Sequence, residues 1–186
     1  MKLPRLARAA LMGLSAALTA CVSNPSAEMP YPNATAAAAA PAALPAAMAA
    51  LRHPDARLFT GGQPDRTLWA ELPQAGVTTV INLRPASEMA GRDEAAEVAA
   101  AGLNYRALPI AGPADITLEH ARALRTLIDA APGKVLVHCA SGNRVGALLA
   151  LAAAQMDGKP TDQAMREGEA AGMTKLAPHV RELLGL

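Results

Sequence analysis

Two hydrophobic patterns follow one another along the chain from residue 57 to the C-terminus. Short apolar segments rich in β-branched residues predict strands at 57–62, 77–83, 105–110 and 134–139. Apolar residues that recur every three or four positions predict helices at 65–72, 92–102, 117–133, 144–151, 161–172 and 175–184. Because strands alternate with helices, we expect an α/β fold of three layers, with a mostly parallel central sheet of four to five strands flanked by helices.

The first twenty residues have the pattern of a targeting segment. Three basic residues, Lys2, Arg5 and Arg8, precede an uncharged apolar run that ends in small residues. This run is shorter than the roughly 20 residues that span a bilayer, and it is typical of a secretory signal peptide. We therefore predict a signal peptide at residues 1–20.

The four residues "LTAC" at 18–21 resemble the lipobox of bacterial lipoproteins. This resemblance implies that the signal is cut before Cys21 and that Cys21 becomes the acylated N-terminus. Residue 22 is Val and not the aspartate that favours retention in the inner membrane. We expect a lipid anchor in the outer membrane, with the protein facing the periplasm. The alternative is a cysteine that happens to follow an ordinary signal.

Residues 21–50 are rich in Ala, Pro and small polar residues and show no apolar period. Such a segment cannot bury enough side chain to offset the entropy lost on ordering, and repeated Pro interrupts helices. We predict a disordered tether at 21–50 and one folded domain at 51–186.

Composition argues against several classes of partner. Seventeen basic and sixteen acidic residues give a net charge of +1, and aromatic residues make up 2% of the chain, so we expect no nucleic-acid partner. His53, His120 and His179 are isolated and show no ligand spacing with cysteines or carboxylates. We therefore expect no metal and no cofactor.

The segment "HCASGNRVG" at 138–146 carries the candidate chemistry. Cys139 ends a predicted strand, and Arg144 stands where the next helix begins. Inward-facing backbone amides beside a helix N-terminus would bind an anion and favour the thiolate, which is the nucleophilic form of Cys139. The guanidinium of Arg144 could hold an oxyanion through two hydrogen bonds, and His138 would orient the loop through backbone groups. The remaining predicted anion-binding residues are Ala140, Ser141, Gly142 and Asn143.

This loop resembles the cysteine-dependent phosphatase signature HCxxGxxR, but is one residue shorter. Together with "LFTGGQPDRTLWAELPQAGVTTVINLRPASE" (58–88) and "GLNYRALPI" (102–110), it resembles the bacterial beta-lactamase-hydrolase-like phosphatase family, which carries the same short loop. The family is a branch of the dual-specificity and tyrosine phosphatase fold. The resemblance implies a tyrosine-phosphatase-like domain that hydrolyses a phosphate monoester, through a thiophosphate on Cys139.

Two other functions stay open at this point. The six-residue loop also resembles that of rhodaneses, in which the cysteine carries a persulfide, so the anionic substrate could contain sulfur instead of phosphate. A non-catalytic anion-binding module is the other alternative. The cysteine could also be a buried structural residue, which is a common fate of free cysteines.

The remaining candidates surround the loop. Asp115 could supply the proton for a leaving group, or it could merely precede the helix that Thr117 caps. Glu88 and Asp93 are weaker candidates for the same acid. Val145 replaces the hydroxyl that follows the arginine in many phosphatases, and Ser141 could substitute for it. Arg84 could add positive charge at the same sheet edge, although a solvated arginine is the commoner case.

Replacing Cys21 by Ser should abolish acylation and release the protein from membranes into the soluble fraction, because a hydroxyl does not replace the thiol that receives the lipid. Membrane fractionation and mass spectrometry of the mature N-terminus measure the two effects. A mature wild-type chain that begins at another residue without a lipid would contradict the prediction.

Overall fold

The computed structural model describes residues 46–186. The predicted signal peptide, Cys21 and residues 21–45 of the predicted tether lie outside that range. Ala46–Ala50 form a 3₁₀-helix in which the Met48 side chain is fully buried. The domain therefore extends beyond the predicted start at Leu51, because Met48 fills part of its core.

The central sheet has four strands, all parallel: β1 (Leu58–Gly61), β2 (Val77–Asn82), β3 (Asn104–Ala107) and β4 (Lys134–His138). Their spatial order is β1-β4-β2-β3, so β4 lies inside the sheet and β1 lies at one edge. Gly61 and Asn82 both pair with His138. Three strands therefore end at one level, and the segments that follow them lie side by side.

Within residues 46–186, five α-helices connect and cover these strands: α1 (Glu94–Ala100), α2 (Leu118–Asp129), α3 (Asn143–Gln155), α4 (Thr161–Ala170) and α5 (Ala177–Leu183). Thr117 caps α2 as predicted, because its hydroxyl accepts a hydrogen bond from the His120 amide. None of the helices in the described part of the chain is long and apolar enough to cross a membrane.

Two predicted elements differ in detail from the observed ones. The helix expected at 65–72 is a 3₁₀-helix, Arg66–Ala70, capped by the Asp65 carboxylate. The strand expected at 105–110 ends at Ala107, two residues before Pro109, which has no amide hydrogen to give to a neighbouring strand.

A hydrophobic core lies on each face of the sheet. Val135 and Val137 of β4 point to one face and pack with Leu124 of α2 and Leu148 of α3. Leu136 points to the opposite face, where the 3₁₀-helix side chain Trp69 and α1 lie. The alternation confirms the three layers and places neighbouring residues of β4 on opposite sides of the sheet.

Helices α3 and α4 approach each other closely at two glycines. A β-carbon added to Gly146 would lie 2.3 Å from both the Gly168 carbonyl oxygen and the Met173 amide nitrogen. These are backbone atoms, so they cannot move aside as a side chain could. Gly146 therefore fixes the position of the segment after α4, next to the start of α3.

The Gly146→Ala variant should lose about 1–3 kcal/mol of unfolding free energy, because the steric cost outweighs the roughly 1 kcal/mol of helix propensity that alanine adds. Urea denaturation measures the change. Gly112→Ala is the matched control, because a β-carbon there meets nothing within 4 Å and the backbone is extended. Equal stability of the two variants would contradict the packing argument.

Candidate active site

The loop from Cys139 to Arg144 joins β4 to α3, and its conformation depends on Gly142. Gly142 has φ +87° and caps α3 from the left-handed region, which a side chain would disfavour. Its amide donates a hydrogen bond of 3.1 Å to the Cys139 sulfur. The sulfur is therefore held in the concave side of the loop, and the residue is 1% exposed.

Other amides of the loop have no acceptor within the protein. Among residues 46–186, no hydrogen bond is made by the amides of Ala140, Ser141, Asn143 and Arg144. Successive amides without a protein acceptor at the start of a 13-residue helix form the kind of nest that binds anions. These are the positions at which the sequence predicts anion binding, and that role stays a prediction.

The side chains of the same residues have other roles. The Asn143 amide oxygen accepts hydrogen bonds from the backbone amides of Thr174 and Leu176, at 2.8 and 3.2 Å. Asn143 therefore anchors the segment that follows α4. Ser141 is exposed, and Val145, where many phosphatases have a hydroxyl, is fully buried in the core.

Arg144 is held by two groups from other strand ends. Its Nη1 and Nη2 donate to the two carboxylate oxygens of Glu88 at 2.8 and 2.7 Å, and Nη1 also donates to the Ile110 carbonyl at 2.6 Å. A guanidinium has five N–H donors, so Nε and one hydrogen of Nη2 remain. These two lie on one edge of the guanidinium and form a fork of the kind that binds oxyanions.

Glu88 lies between two arginines. Besides Arg144, it accepts a hydrogen bond of 3.2 Å from Nε of Arg84, and Nη2 of Arg84 also donates to the Glu88 carbonyl. The interpretation of Arg84 as a solvated arginine is therefore wrong, since its side chain is 17% exposed and ion-paired. The hydrogen bonds from Arg144 lower the pKa of Glu88, so Glu88 is ionised at neutral pH and unsuited to donate a proton.

Cys139 also affects the pKa of Arg144. Hydrogen bonding to Glu88 raises the pKa of Arg144, burial lowers it by less, and the Cys139 sulfur raises it further. Arg144 therefore stays charged, held by Glu88 and close enough to Cys139 for the sulfur to affect its pKa.

His138 is buried beneath the loop and paired with a carboxylate that the sequence analysis did not identify. Nε2 of His138 lies 2.8 Å from a carboxylate oxygen of Glu94, and both side chains are at most 1% exposed. On its other side, Nδ1 lies 3.4 Å from the Cys139 carbonyl. The contact of His138 with the Cys139 backbone agrees with its predicted orienting role. The shorter of the two contacts is the one to Glu94.

Gln63 connects Glu94 to Arg84, and through Arg84 to Glu88. Its Nε2 donates to Glu94 at 2.5 Å, and its carbonyl oxygen accepts a hydrogen bond from Nη1 of Arg84. Its backbone amide donates to the Ala140 carbonyl at 3.3 Å. The sequence did carry a signal for this residue, because Gln63 lies in the Gly-Gln-Pro segment of the 58–88 stretch that resembles the family.

The two remaining acid candidates make local contacts. Asp93 caps α1 by accepting a hydrogen bond of 3.0 Å from the Ala96 amide. Asp115 accepts one of 2.6 Å from the Ala111 amide, in the loop whose first residue, Ile110, binds Arg144. Asp115 is thus in a loop that reaches the site, while its role as a proton donor stays a prediction.

The chain is similar to proteins of one family. A family model described as the phosphatase-like domain of beta-lactamase hydrolase-like protein matches residues 58–156. The beta-lactamase hydrolase-like protein of Xylella fastidiosa (strain Temecula1) is 38% identical over 99 residues, which are 51% of this chain and 23% of that protein. The chain therefore spans about a quarter of the length of this relative.

Solved structures of phosphatase candidates have the same fold. One from Neisseria meningitidis z2491 has a TM-score of 0.62 and 24% identity, over 72% of this chain and 97% of that one. One from Shewanella putrefaciens CN-32 has a TM-score of 0.57 and 29% identity, over 73% of this chain and 86% of that one. The expected tyrosine-phosphatase-like fold and the resemblance to the family are confirmed.

The Glu94–His138 pair predicts a specific pH dependence of stability. Burial raises the pKa of Glu94, but hydrogen bonds from His138 and Gln63 outweigh it, so the pKa in the folded state is lowered. The stability that this carboxylate contributes is complete above its unfolded pKa of about 4.3 and is lost as the pH falls through the folded value.

The Glu94→Gln variant should therefore be less stable than wild type at pH 7, by about 1–3 kcal/mol, and this difference should shrink as the pH falls below about 4.3. Unfolding free energies in urea, measured across this range, test the prediction. Glu182→Gln is the control, because its exposed side chain makes no hydrogen bond in the described domain. A difference that does not change with pH would contradict it.

Proposed function

The chain belongs to the family of the phosphatase-like domain of beta-lactamase hydrolase-like protein, and we propose that it hydrolyses phosphate monoesters with Cys139 as nucleophile. The single observation that carries the proposal is the arrangement around the sulfur. The Gly142 amide donates to it, and the edge of Arg144 that Glu88 leaves available has two donors for an oxyanion.

The reaction has two steps in this proposal. The Cys139 thiolate attacks phosphorus, so a sulfur–phosphorus bond forms while the bond to the leaving oxygen breaks. The leaving oxygen takes a proton from Asp115, the residue we assign as acid. Water then attacks phosphorus, gives a proton back to Asp115, and releases phosphate and the thiolate.

The surrounding residues stabilise charge during these steps. The loop amides and the donors of Arg144 face the phosphoryl oxygens and offset the charge that develops on them. Glu88 and Ile110 hold the guanidinium in place before substrate binds, so little reorganisation is needed. Glu94, His138 and Gln63 act on the loop from below as positioning residues.

Sulfur transfer is the second candidate function, favoured by the size of the loop. Six residues from Cys139 to Arg144 enclose a smaller anion than the seven of the usual phosphatase signature. The Cys139 thiolate would attack the outer sulfur of a donor such as thiosulfate and release sulfite, which leaves a persulfide on Cys139. A thiophilic acceptor such as cyanide would then remove the outer sulfur, and no acid would be needed.

The proposed location follows from the N-terminus. An acylated Cys21 would hold the domain at the outer membrane, facing the periplasm, where it would meet extracytoplasmic anions.

A binding module without catalysis is the remaining alternative for the same loop, and the experiment below includes it.

Cys139 should react with iodoacetamide near pH 6, where an ordinary thiol is almost wholly protonated, and phosphate or vanadate should protect it. Arg144→Lys should weaken this protection about tenfold, because an ammonium cannot reproduce the two-donor edge of the guanidinium. Alkylation is followed by mass spectrometry. A thiol that stays inert up to pH 9 in the folded protein would contradict every function proposed for this loop.

Two assays then separate the functions, each run beside Cys139→Ser. Phosphate release from an aryl phosphate that depends on Cys139 supports the phosphatase. Cyanide-dependent thiocyanate formation from thiosulfate without phosphate release supports sulfur transfer and contradicts the phosphatase. If phosphate release and thiocyanate formation by wild type both stay at the level of Cys139→Ser while anions still protect the thiol, the loop is a binding module.

A further inference from the structure

One exposed arginine beside the loop differs from the arginines of the site. Arg84, Arg92 and Arg144 each bind a carboxylate. The guanidinium of Arg52 has no carboxylate within 4.0 Å and makes no hydrogen bond to any residue between 46 and 186. Within residues 46–186 its charge is therefore not balanced by a carboxylate.

The position of Arg52 is fixed by the sheet. Its amide donates to the Thr60 carbonyl at 2.8 Å, and the Thr60 amide donates back at 2.9 Å, so the residue forms an antiparallel bridge with the edge strand β1. The Thr60 hydroxyl donates a hydrogen bond of 2.8 Å to the Ala171 carbonyl, and Thr60 is fully buried. The backbone of Arg52 is thus anchored next to the segment that follows α4.

Two glycines place the guanidinium against the cysteine loop. A β-carbon on Gly142 would lie 3.6 Å from Nη1 of Arg52, and one on Gly172 would lie 3.3 Å from it. A side chain at Gly172 would also crowd the Gly142 carbonyl, at 3.1 Å. The charge of Arg52 therefore lies directly beside Gly142, the residue whose amide binds the Cys139 sulfur.

We propose that Arg52 forms a second anion subsite, and that the substrates of this protein carry a second acidic group, phosphoryl or carboxylate, near the group bound by Cys139. The inference rests on the proposed anion-binding role of the loop. Glu88 forms ion pairs with both Arg84 and Arg144, so one edge of the Arg144 guanidinium is left for one anionic group. A second group needs a further cation, and Arg52 supplies it.

The test measures protection of Cys139 from iodoacetamide by three probes: inorganic phosphate, methylenebisphosphonate and phosphonoacetate. In wild type at least one of the two-group probes should protect at a lower concentration than phosphate does, and the subsite is overturned if neither does. Arg52→Gln should raise the concentrations needed of the two-group probes about three- to fivefold and leave that of phosphate unchanged, which is the effect of losing one exposed charge pair. Arg52→Lys should keep most of the preference.

Arg106→Gln is the matched control, because Arg106 is also exposed but lies on β3, at the edge of the sheet opposite to β1. Equal effects of Arg52→Gln and Arg106→Gln, or no effect of either, would overturn the subsite while leaving the proposed function intact. A response to one two-group probe alone identifies the second group as phosphoryl or carboxylate and supports the subsite. Absence of protection by all three probes would overturn the subsite and the anion-binding loop together.

Discussion

The arrangement of the site depends on the bidentate ion pair between Arg144 and Glu88. It joins the segments after three parallel strands, because Glu88 follows β2, Ile110 follows β3 and Arg144 follows β4. An arginine without such partners would sample many rotamers and lose entropy on binding an anion. Here Glu88 and Ile110 hold the guanidinium and leave the Nε edge for a ligand. The side chain is therefore already in position before the ligand binds.

Gln63 explains how the buried Glu94 and the half-buried Glu88 coexist within one small region. A carboxylate between Glu88 and Glu94 would repel both, and an apolar residue would leave Glu94 with one donor fewer. A primary amide can donate to Glu94 and accept from Arg84 at the same time. The same residue bonds the Ala140 carbonyl through its backbone, so the turn after β1, the acidic pair and the cysteine loop form one connected network.

The sequence predicted what depends on local pattern. The strand positions, the Thr117 cap and the cysteine loop between β4 and α3 all follow from periodicity and from residues close in the chain. The ion pairs could not be found in this way, because Arg144 and Glu88 are 56 residues apart and His138 and Glu94 are 44 apart. Arg84 illustrates the limit: at a strand end it has the pattern of a solvated residue. Its partner Glu88 is only four residues away, but Gln63 is 21 residues away and only the fold brings it to Arg84.

Phosphate hydrolysis and sulfur transfer place similar demands on this loop. In both reactions a thiolate attacks a tetrahedral anion, and in both the loop amides and Arg144 bind the oxygens that carry charge. They differ in the leaving group, because sulfite departs without a proton whereas an alkoxide needs one. Asp115, the assigned proton donor, is bound by the Ala111 amide and makes no hydrogen bond to the cysteine loop. In the proposed reactions, leaving groups that are stable as anions, such as a phenolate or sulfite, therefore depend least on this acid, and the size of the loop and the groups around it together decide which anion is bound.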